Sequence, residues 1–448
     1  MTTLPRTAVG ARLSVTAASA LPRVSSTVAV TALIVASLMP SLLPRSAPVQ
    51  AGVTGVFAVL GVVAGAGWRR LRGDRAAASV TVRGWVAAAA LTTLGAALTG
   101  AARWQSGLRA ATGLPDVGVA HWVLVSAGAV AVAASITGAA ALLRSAARRL
   151  GRYRLIAGLL GCVLAVTSCT APAVASADGP EPVLRQPTSP AMSGSTASPV
   201  GWESLGVEGR RFVTAPAADG VTRTYVGLDS APDLAARVTL AVADLERSGG
   251  LTRSHLVIAV PTGSGWIDAG AIAGMERRFG GDVAEVAVQY SAAPSWVTFV
   301  FDRGSAEEAA RALYRAVAHR VSLLPEDRRP RLHLYGQSLG AVGVDAALSE
   351  PVAVPACGNL VAGPPAGRVP TADTVVLANS SDPVVHWSPR LLVAPPRLAG
   401  VRPDAPTPAW LPVLSFLQTS VDLLTALDAA PGHGHRYGTD QGTRLPTC

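Results

Sequence analysis

Five apolar runs fill much of the N-terminal part of the chain, at about 26–43, 51–67, 84–101, 117–143 and 155–171. Each approaches or exceeds the roughly 17 to 25 residues that a helix needs to cross a bilayer, so five membrane helices are expected. The short loops between them alternate in arginine content. Arg6, Arg12 and Arg23 precede the first run and Arg45 alone follows it; Arg69, Arg70, Arg72, Arg75 and Arg83 follow the second. Arg103 and Arg109 lie after the third run, and Arg144, Arg148, Arg149, Arg152 and Arg154 after the fourth. Short cytoplasmic loops are enriched in arginine, which puts the N-terminus inside and everything beyond the fifth run outside. Trp68, Trp85, Trp104 and Trp122, near the ends of the runs, suit interfacial anchoring. The fifth run carries two readings, an uncleaved span or a processed one. Its strongest part, 155–166, is short and is followed by a small-residue stretch at 173–177 that resembles a cleavage site, and residues 166–169 loosely resemble a lipoprotein attachment box ending in Cys169.

Composition agrees with a membrane protein. Half of the 448 residues are hydrophobic and 15% are charged. The net charge of +10 does not argue for a nucleic-acid partner, because the basic residues are all arginine and many sit between the apolar runs. The absence of lysine excludes a lysine nucleophile, a Schiff base and a phosphate-loop lysine. The four cysteines have no metal-ligand spacing, and neither metal nor cofactor is expected. Cys357 and Cys448 either pair, if their region lies outside the cytoplasm, or remain two thiols.

Residues 176–200 are dense in Pro, Ser, Gly and Thr and read as a linker. The organisation expected is therefore a transmembrane domain over 1–177, a linker over 178–208 and a folded domain over 209–448. In that last part strand-like and helix-like segments alternate. Strands are expected at 210–215, 222–227, 255–260, 283–290, 331–335 and 374–379, with helices at 233–247, 269–279, 305–323 and 339–348. Such alternation implies an α/β domain with a mostly parallel sheet covered by helices on both faces, its site at the carboxyl ends of the strands.

One stretch carries chemistry. Gly336-Gln337-Ser338-Leu339-Gly340 is a Gly-x-Ser-x-Gly between a strand and a helix, the context in which a serine hydroxyl is lifted clear of a sheet on a tight turn. A serine nucleophile needs a base, and the base needs an acid. With the chain order nucleophile, acid, base, the histidines sort themselves. His121 lies at a membrane span, His255 and His319 precede Ser338, His333 is a core residue of the elbow strand, and His386 follows the acid too closely. His433 and His435, in a glycine-rich loop, remain. His435 is the first choice, since Tyr437 follows it and is placed to pack beneath its ring; His433 stays open. Asp382, just past the apolar strand 374–379, is the expected acid. The backbone N–H of Leu339 and one from Thr262 or Gly263 would bind the oxyanion. The apolar, Pro-rich stretch 389–427, between acid and histidine, reads as a lid or an acyl-chain wall.

The segments GRRFV at 209–213, PTGSGW at 261–266, YSAAPSW at 290–296, GQSLG at 336–340, SDPVVHWSP at 381–389 and PGHGHRYG at 431–438 together resemble an actinobacterial family of membrane-anchored α/β-hydrolases. That resemblance spans the chain. It implies an α/β-hydrolase fold behind a multi-helix membrane domain and a serine-hydrolase site. The function expected is a cell-membrane, multi-pass, extracytoplasmic esterase, lipase or acyltransferase acting on a lipid or small acyl ester. A non-catalytic domain that binds a lipid or partner is the alternative. The chain departs from the general fold in one respect, for no clear strand lies between Asp382 and the histidine loop.

Overall fold

The computed structural model describes residues 21–72, 78–150, 184–293, 298–299, 302–366, 373–398 and 400–448. Contacts divide the chain into two units, Met1–Glu181 and Pro182–Cys448.

The first unit contains helices α1 (Val24–Ser37), α2 (Ala47–Arg72), α3 (Val80–Ala111) and α4 (Val119–Leu150). The last three are long and apolar enough to cross a membrane. Helix α1 has 14 residues, about 21 Å at 1.5 Å per residue, and is too short to span one. The run at 26–43 was expected to be one continuous helix; Pro40 and Pro44 instead follow an irregular turn. The polar groups of that turn are satisfied by protein. Arg45 N–H donates to Gln105 Oε1 at 2.9 Å, Trp104 Nε1 to Ser41 O at 2.9 Å and Gln50 Nε2 to Ser37 O at 3.0 Å. Irregular backbone among membrane helices is tolerable only when buried in this way. The fifth run and its proposed processing sites lie outside the described residues.

The second unit is an α/β domain. In chain order it runs α5 (Gly206–Thr214), β1 (Thr222–Val226), α6 (Leu234–Arg247), β2 (His255–Val260), α7 (Ala269–Arg278), β3 (Val283–Val288), α8 (Arg303–Ser322), β4 (Arg331–Gln337), α9 (Leu339–Leu348), β5 (Gly358–Ala362), β6 (Thr374–Leu377), the short turn α10 (Pro383–His386) and α11 (Leu414–Asp422). The sheet is parallel throughout, in the order β1-β3-β2-β4-β5-β6. Strands β2, β3 and β6 are near-continuous apolar runs, as burial on both faces favours, whereas β1, β4 and β5 also bury polar side chains, Arg223 and His333 among them. Aspartates start the flanking helices: Asp233 accepts from Ala236 N–H at 2.8 Å and Asp268 from Ala271 N–H at 2.9 Å.

Side-chain alternation assigns the two faces. Leu256, Ile258 and Val260 of β2 point to the side where α8 and α9 pack, while His255, Val257 and Ala259 point to the side of α7 and the C-terminal segment. After β2 the chain turns back to β3, and after β4 it moves outward to β5. The loops leaving these two neighbouring strands therefore diverge and open a crevice at their carboxyl ends, where α/β sheets hold their ligands.

Three expectations are corrected. Residues 210–215 belong to helix α5, because Gly209, Phe212 and Val213 are buried at helical spacing against β1; strand preference alone had favoured the other reading. The described part of the expected linker, from residue 184, belongs to the sheet domain. Met192 pairs in parallel with Arg223, Ser193 Oγ donates to the buried carboxylate of Asp244, and Val200 enters the core. Hydroxyls attach much of this stretch, with only Val200 and Leu205 of it fully buried in the apolar core, so counting apolar residues did not find it. Strand β5 was also missed.

Cys357 and Cys448 are joined by a disulfide, with Cα atoms 5.5 Å apart, so Cys448 is tied to the start of β5. His333 is a core residue, as expected. It is fully buried, its Nε2 is 3.0 Å from His255 Nδ1, and burial pushes its pKa down to about 4.

Candidate active site

Ser338 occupies the N-cap of α9 with φ 54° and ψ −118°. A serine in that position ordinarily turns its hydroxyl onto the first helical N–H groups. Ser338 makes no such bond, because its left-handed backbone aims the side chain elsewhere, and the Oγ is left clear of the helix. The flanking glycines are dictated by contact. A Cβ on Gly336 would lie 2.3 Å from Gly340 O, and one on Gly340 would lie 2.3 Å from Val260 O. These close approaches press the first turn of α9 against the end of β2, beside the loop at 261–266. Leu339, buried at the first helical position, presents one of the N–H groups that a helix start leaves without a partner.

Of the two alternative donors expected in that loop, one is already in use. The Thr262 N–H donates to Trp266 O at 2.9 Å and closes a turn, so it is already engaged. Gly263, next in the chain, is then the candidate donor. Gly265 N–H to Thr262 O, also 2.9 Å, completes the turn, and Tyr225 OH braces it by donating to Gly265 O.

The expected acid and the first-choice base meet in the structure. Asp382 is fully buried at the start of α10; its Oδ1 accepts from Val384 N–H at 2.8 Å, and its Oδ2 lies 2.8 Å from His435 Nδ1. It is thus a turn cap through one oxygen and a histidine partner through the other. Burial alone would raise the Asp382 carboxyl. The electrostatic pull of the adjoining His435, with hydrogen bonds from His435, Tyr437 and Val384 N–H, outweighs burial and holds it below the usual range. Tyr437 does not lie beneath the imidazole. Its ring meets His435 edge-on, and its hydroxyl donates to Asp382 Oδ2.

Ser338 and His435 are brought together through β5. The Ser338 N–H donates to Ala362 O at 2.9 Å, and the next residue, Gly363, has φ 54°. A Cβ there would stand 2.6 Å from His435 Cε1 and 2.8 Å from Asp382 Oδ2. Gln337 Nε2, one residue before Ser338, donates to His435 O at 2.9 Å. Among the described residues no hydrogen bond joins Ser338 Oγ to His435.

His433, the other candidate, faces a different carboxylate. Its Nδ1 is 3.1 Å from Asp404 Oδ2. Sequence reasoning missed Asp404, although it is the only acid between residues 383 and 421. Its side chain is 2% exposed and receives four donors: Ser380 Oγ at 3.0 Å and Ser381 N–H at 2.9 Å on Oδ1, and Ser381 Oγ and His433 Nδ1 on Oδ2. Two carboxylate oxygens offer about four lone-pair sites, so all are filled. Ser381 in turn accepts the Gly434 N–H at 2.8 Å, and Asn379 Nδ2 donates to Gly434 O at 2.9 Å, which clamps Gly434, the residue before His435, from both ends. No strand follows β6 among the described residues. A one-residue parallel bridge from Asn379 to Arg402 stands in its place and delivers Asp404 to the site. Asp404→Asn places an amide N–H₂ against groups that are themselves donors, with an expected loss of about 1–3 kcal/mol. Hydrogen exchange over 431–436 should accelerate in that variant, and unchanged exchange there would contradict this role for Asp404.

The sequence profile described as the alpha/beta-hydrolase family matches residues 222–373 and 367–445, and the profile for that family's N-terminus matches 38–179 and 159–216. No curated protein matches the chain. The matched residues cover most of the chain, both the helices that precede the sheet and the sheet itself, and the chain belongs to the alpha/beta-hydrolase family.

Proposed function

We propose that this protein is a membrane-anchored, multi-pass serine hydrolase or acyltransferase whose α/β domain lies outside the cytoplasm and acts on a lipid or small acyl ester. The carrying observation is the buried Asp382–His435 pair set beside a serine in left-handed backbone at the carboxyl end of a parallel sheet. In this reading Ser338 Oγ attacks the ester carbonyl as its proton passes to His435 Nε2. Asp382 holds Nδ1–H and stabilises the imidazolium that forms. The tetrahedral oxyanion is met by the N–H groups of Leu339 and Gly263. His435 returns the proton to the departing alcohol, leaving Ser338 acylated; water or a second alcohol, deprotonated by His435, then releases the acyl group. The location is supported by the alternation of arginine between loops and by the Cys357–Cys448 disulfide, a bond that persists in oxidising compartments.

One experiment tests chemistry and location together. A membrane-impermeant fluorophosphonate applied to intact cells should label the wild-type protein and not Ser338→Ala. Labelling only after lysis would place the site on the cytoplasmic side, and a wild type that never labels would make the domain a binding module.

A further inference from the structure

The stretch between acid and histidine displays an unusual surface. Within 389–427, Val393 is 78% exposed, Val413 51%, Leu424 80% and Leu427 55%, with Leu411 and Leu417 also exposed. Hydrogen bonds gather several of these residues: Val413 N–H donates to Leu392 O at 3.0 Å and Trp410 Nε1 to Leu391 O at 3.0 Å, which lays 391–393 alongside 410–413. Val413 and Leu417 are one turn apart at the start of α11, and Leu424 is two further turns along.

Val413 is also strained. It has φ 64° and ψ −49°, and the Leu414 N–H closes a three-residue turn onto Pro412 O at 2.6 Å. That γ-turn geometry is rare, and a β-branched residue tolerates it poorly. Strain of about 1–3 kcal/mol is held here at an exposed apolar tip, where nothing in the core is gained by it.

The exposed charges along this stretch are mainly positive. Arg390, Arg397 and Arg402 are exposed, whereas the two acids of the stretch, Asp404 and Asp422, are buried. Asp428, which follows Leu427, is the one exposed acid beside them, and partial burial raises its pKa. Exposed apolar side chains in a stretch with three exposed cations, and one exposed acid beside it, match the boundary between acyl chains and anionic headgroups. The same chain carries three helices long and apolar enough to cross a membrane.

We infer that the exposed face of 389–427 is a lipid-docking surface that inserts Val413, Leu417, Leu424 and Leu427 into an anionic leaflet. This goes beyond the hydrolase reading and does not depend on Ser338 being reactive. The test uses the full chain reconstituted in vesicles, with a benzophenone amino acid in place of Leu424 or, as a control, of Leu323, which is 64% exposed at the end of α8. In vesicles of phosphatidylglycerol and phosphatidylcholine, irradiation should give lipid adducts at position 424 and few at 323. The yield at 424 should fall about five-fold in phosphatidylcholine alone, and by a similar factor in Arg390→Gln/Arg397→Gln. Equal yields at the two positions, or adducts to a peptide of this chain or of a second copy in place of lipid, would overturn the inference. A yield at 424 indifferent to lipid charge would overturn its electrostatic half.

Discussion

His435→Ala is expected to lower kcat for p-nitrophenyl esters by about 10⁴-fold or more, to the residual rate left by binding and the oxyanion donors. His433→Ala should cost less than about ten-fold. Both residues lie in the same glycine-rich loop and both meet a carboxylate, so the difference comes from which one. His435 shares Asp382 with Tyr437 and Val384 beside Ser338, whereas His433 is one of four donors on Asp404, and the other three remain when it is removed. Fluorophosphonate labelling of Ser338 should follow the same order. If His433→Ala is inactive and His435→Ala turns over normally, the roles exchange; if both remain active, neither is the base.

The second large effect concerns stability. Arg223→Met should destabilise the α/β domain by about 3–5 kcal/mol, the usual cost of stripping one partner from a buried ion pair. Arg223 is fully buried and uses every N–H it has. Nε donates to Glu276 Oε1 at 2.9 Å, Nη1 to Phe212 O and Ala215 O at 2.9 and 2.7 Å, and Nη2 to Pro216 O at 3.0 Å and again to Glu276. Without it, three carbonyls and a buried carboxylate lose their partner. At roughly 2–4 °C per kcal/mol, Tm should fall by about 10 °C. Glu285, 3.4 Å from the same guanidinium, behaves in the opposite sense. Burial pushes its carboxyl well above the ordinary value, against the pull of Arg223. Its folded state therefore holds the proton more tightly than the unfolded chain does, and the stability this gives at acid pH is lost as pH rises through the folded pKa. Glu285→Gln should raise Tm at about pH 8 and leave it near wild type at about pH 4. Thermal unfolding of both variants decides the matter, and a Tm for Arg223→Met within a degree or two of wild type would show that the pair is not needed.

The parts of this architecture visible in the sequence are those encoded locally. The elbow was legible because Gly336 and Gly340 are forced by contacts within a few residues of Ser338 or with the adjoining strand, and Asp382 because it follows an apolar strand directly. Strand β5, GNLVA, begins with two poor strand formers and is buried only through its neighbours β4 and β6. Helix α5 was misread because Arg211-Phe212-Val213 favours a strand until β1 packs against it. The choice between His433 and His435 rests on which way each side chain points, and residues two apart in a glycine-rich loop do not announce that. Asp404 was invisible for a related reason, since its role depends on a single bridge at Arg402 that no periodicity marks. In the membrane unit, hydropathy found the long helices, but the break after Ser37 was signalled by Pro40 and Pro44 rather than by any loss of apolar character.

The position of Asp404 limits how this protein can be re-engineered. Under the proposed hydrolase function, the stretch from 389 to 427 is the part of the domain to trim, exchange or graft when a different acyl chain is wanted. Yet the carboxylate that anchors the histidine loop is carried on it, delivered by the Arg402 bridge. A chimaera that swaps the whole stretch would discard the anchor with the cap, and its loss of turnover would be mistaken for a loss of substrate fit. Crossovers should therefore fall on either side of 402–405, so that the anchor is inherited with Ser380, Ser381 and His433 and the flanking apolar segments are left free to diverge.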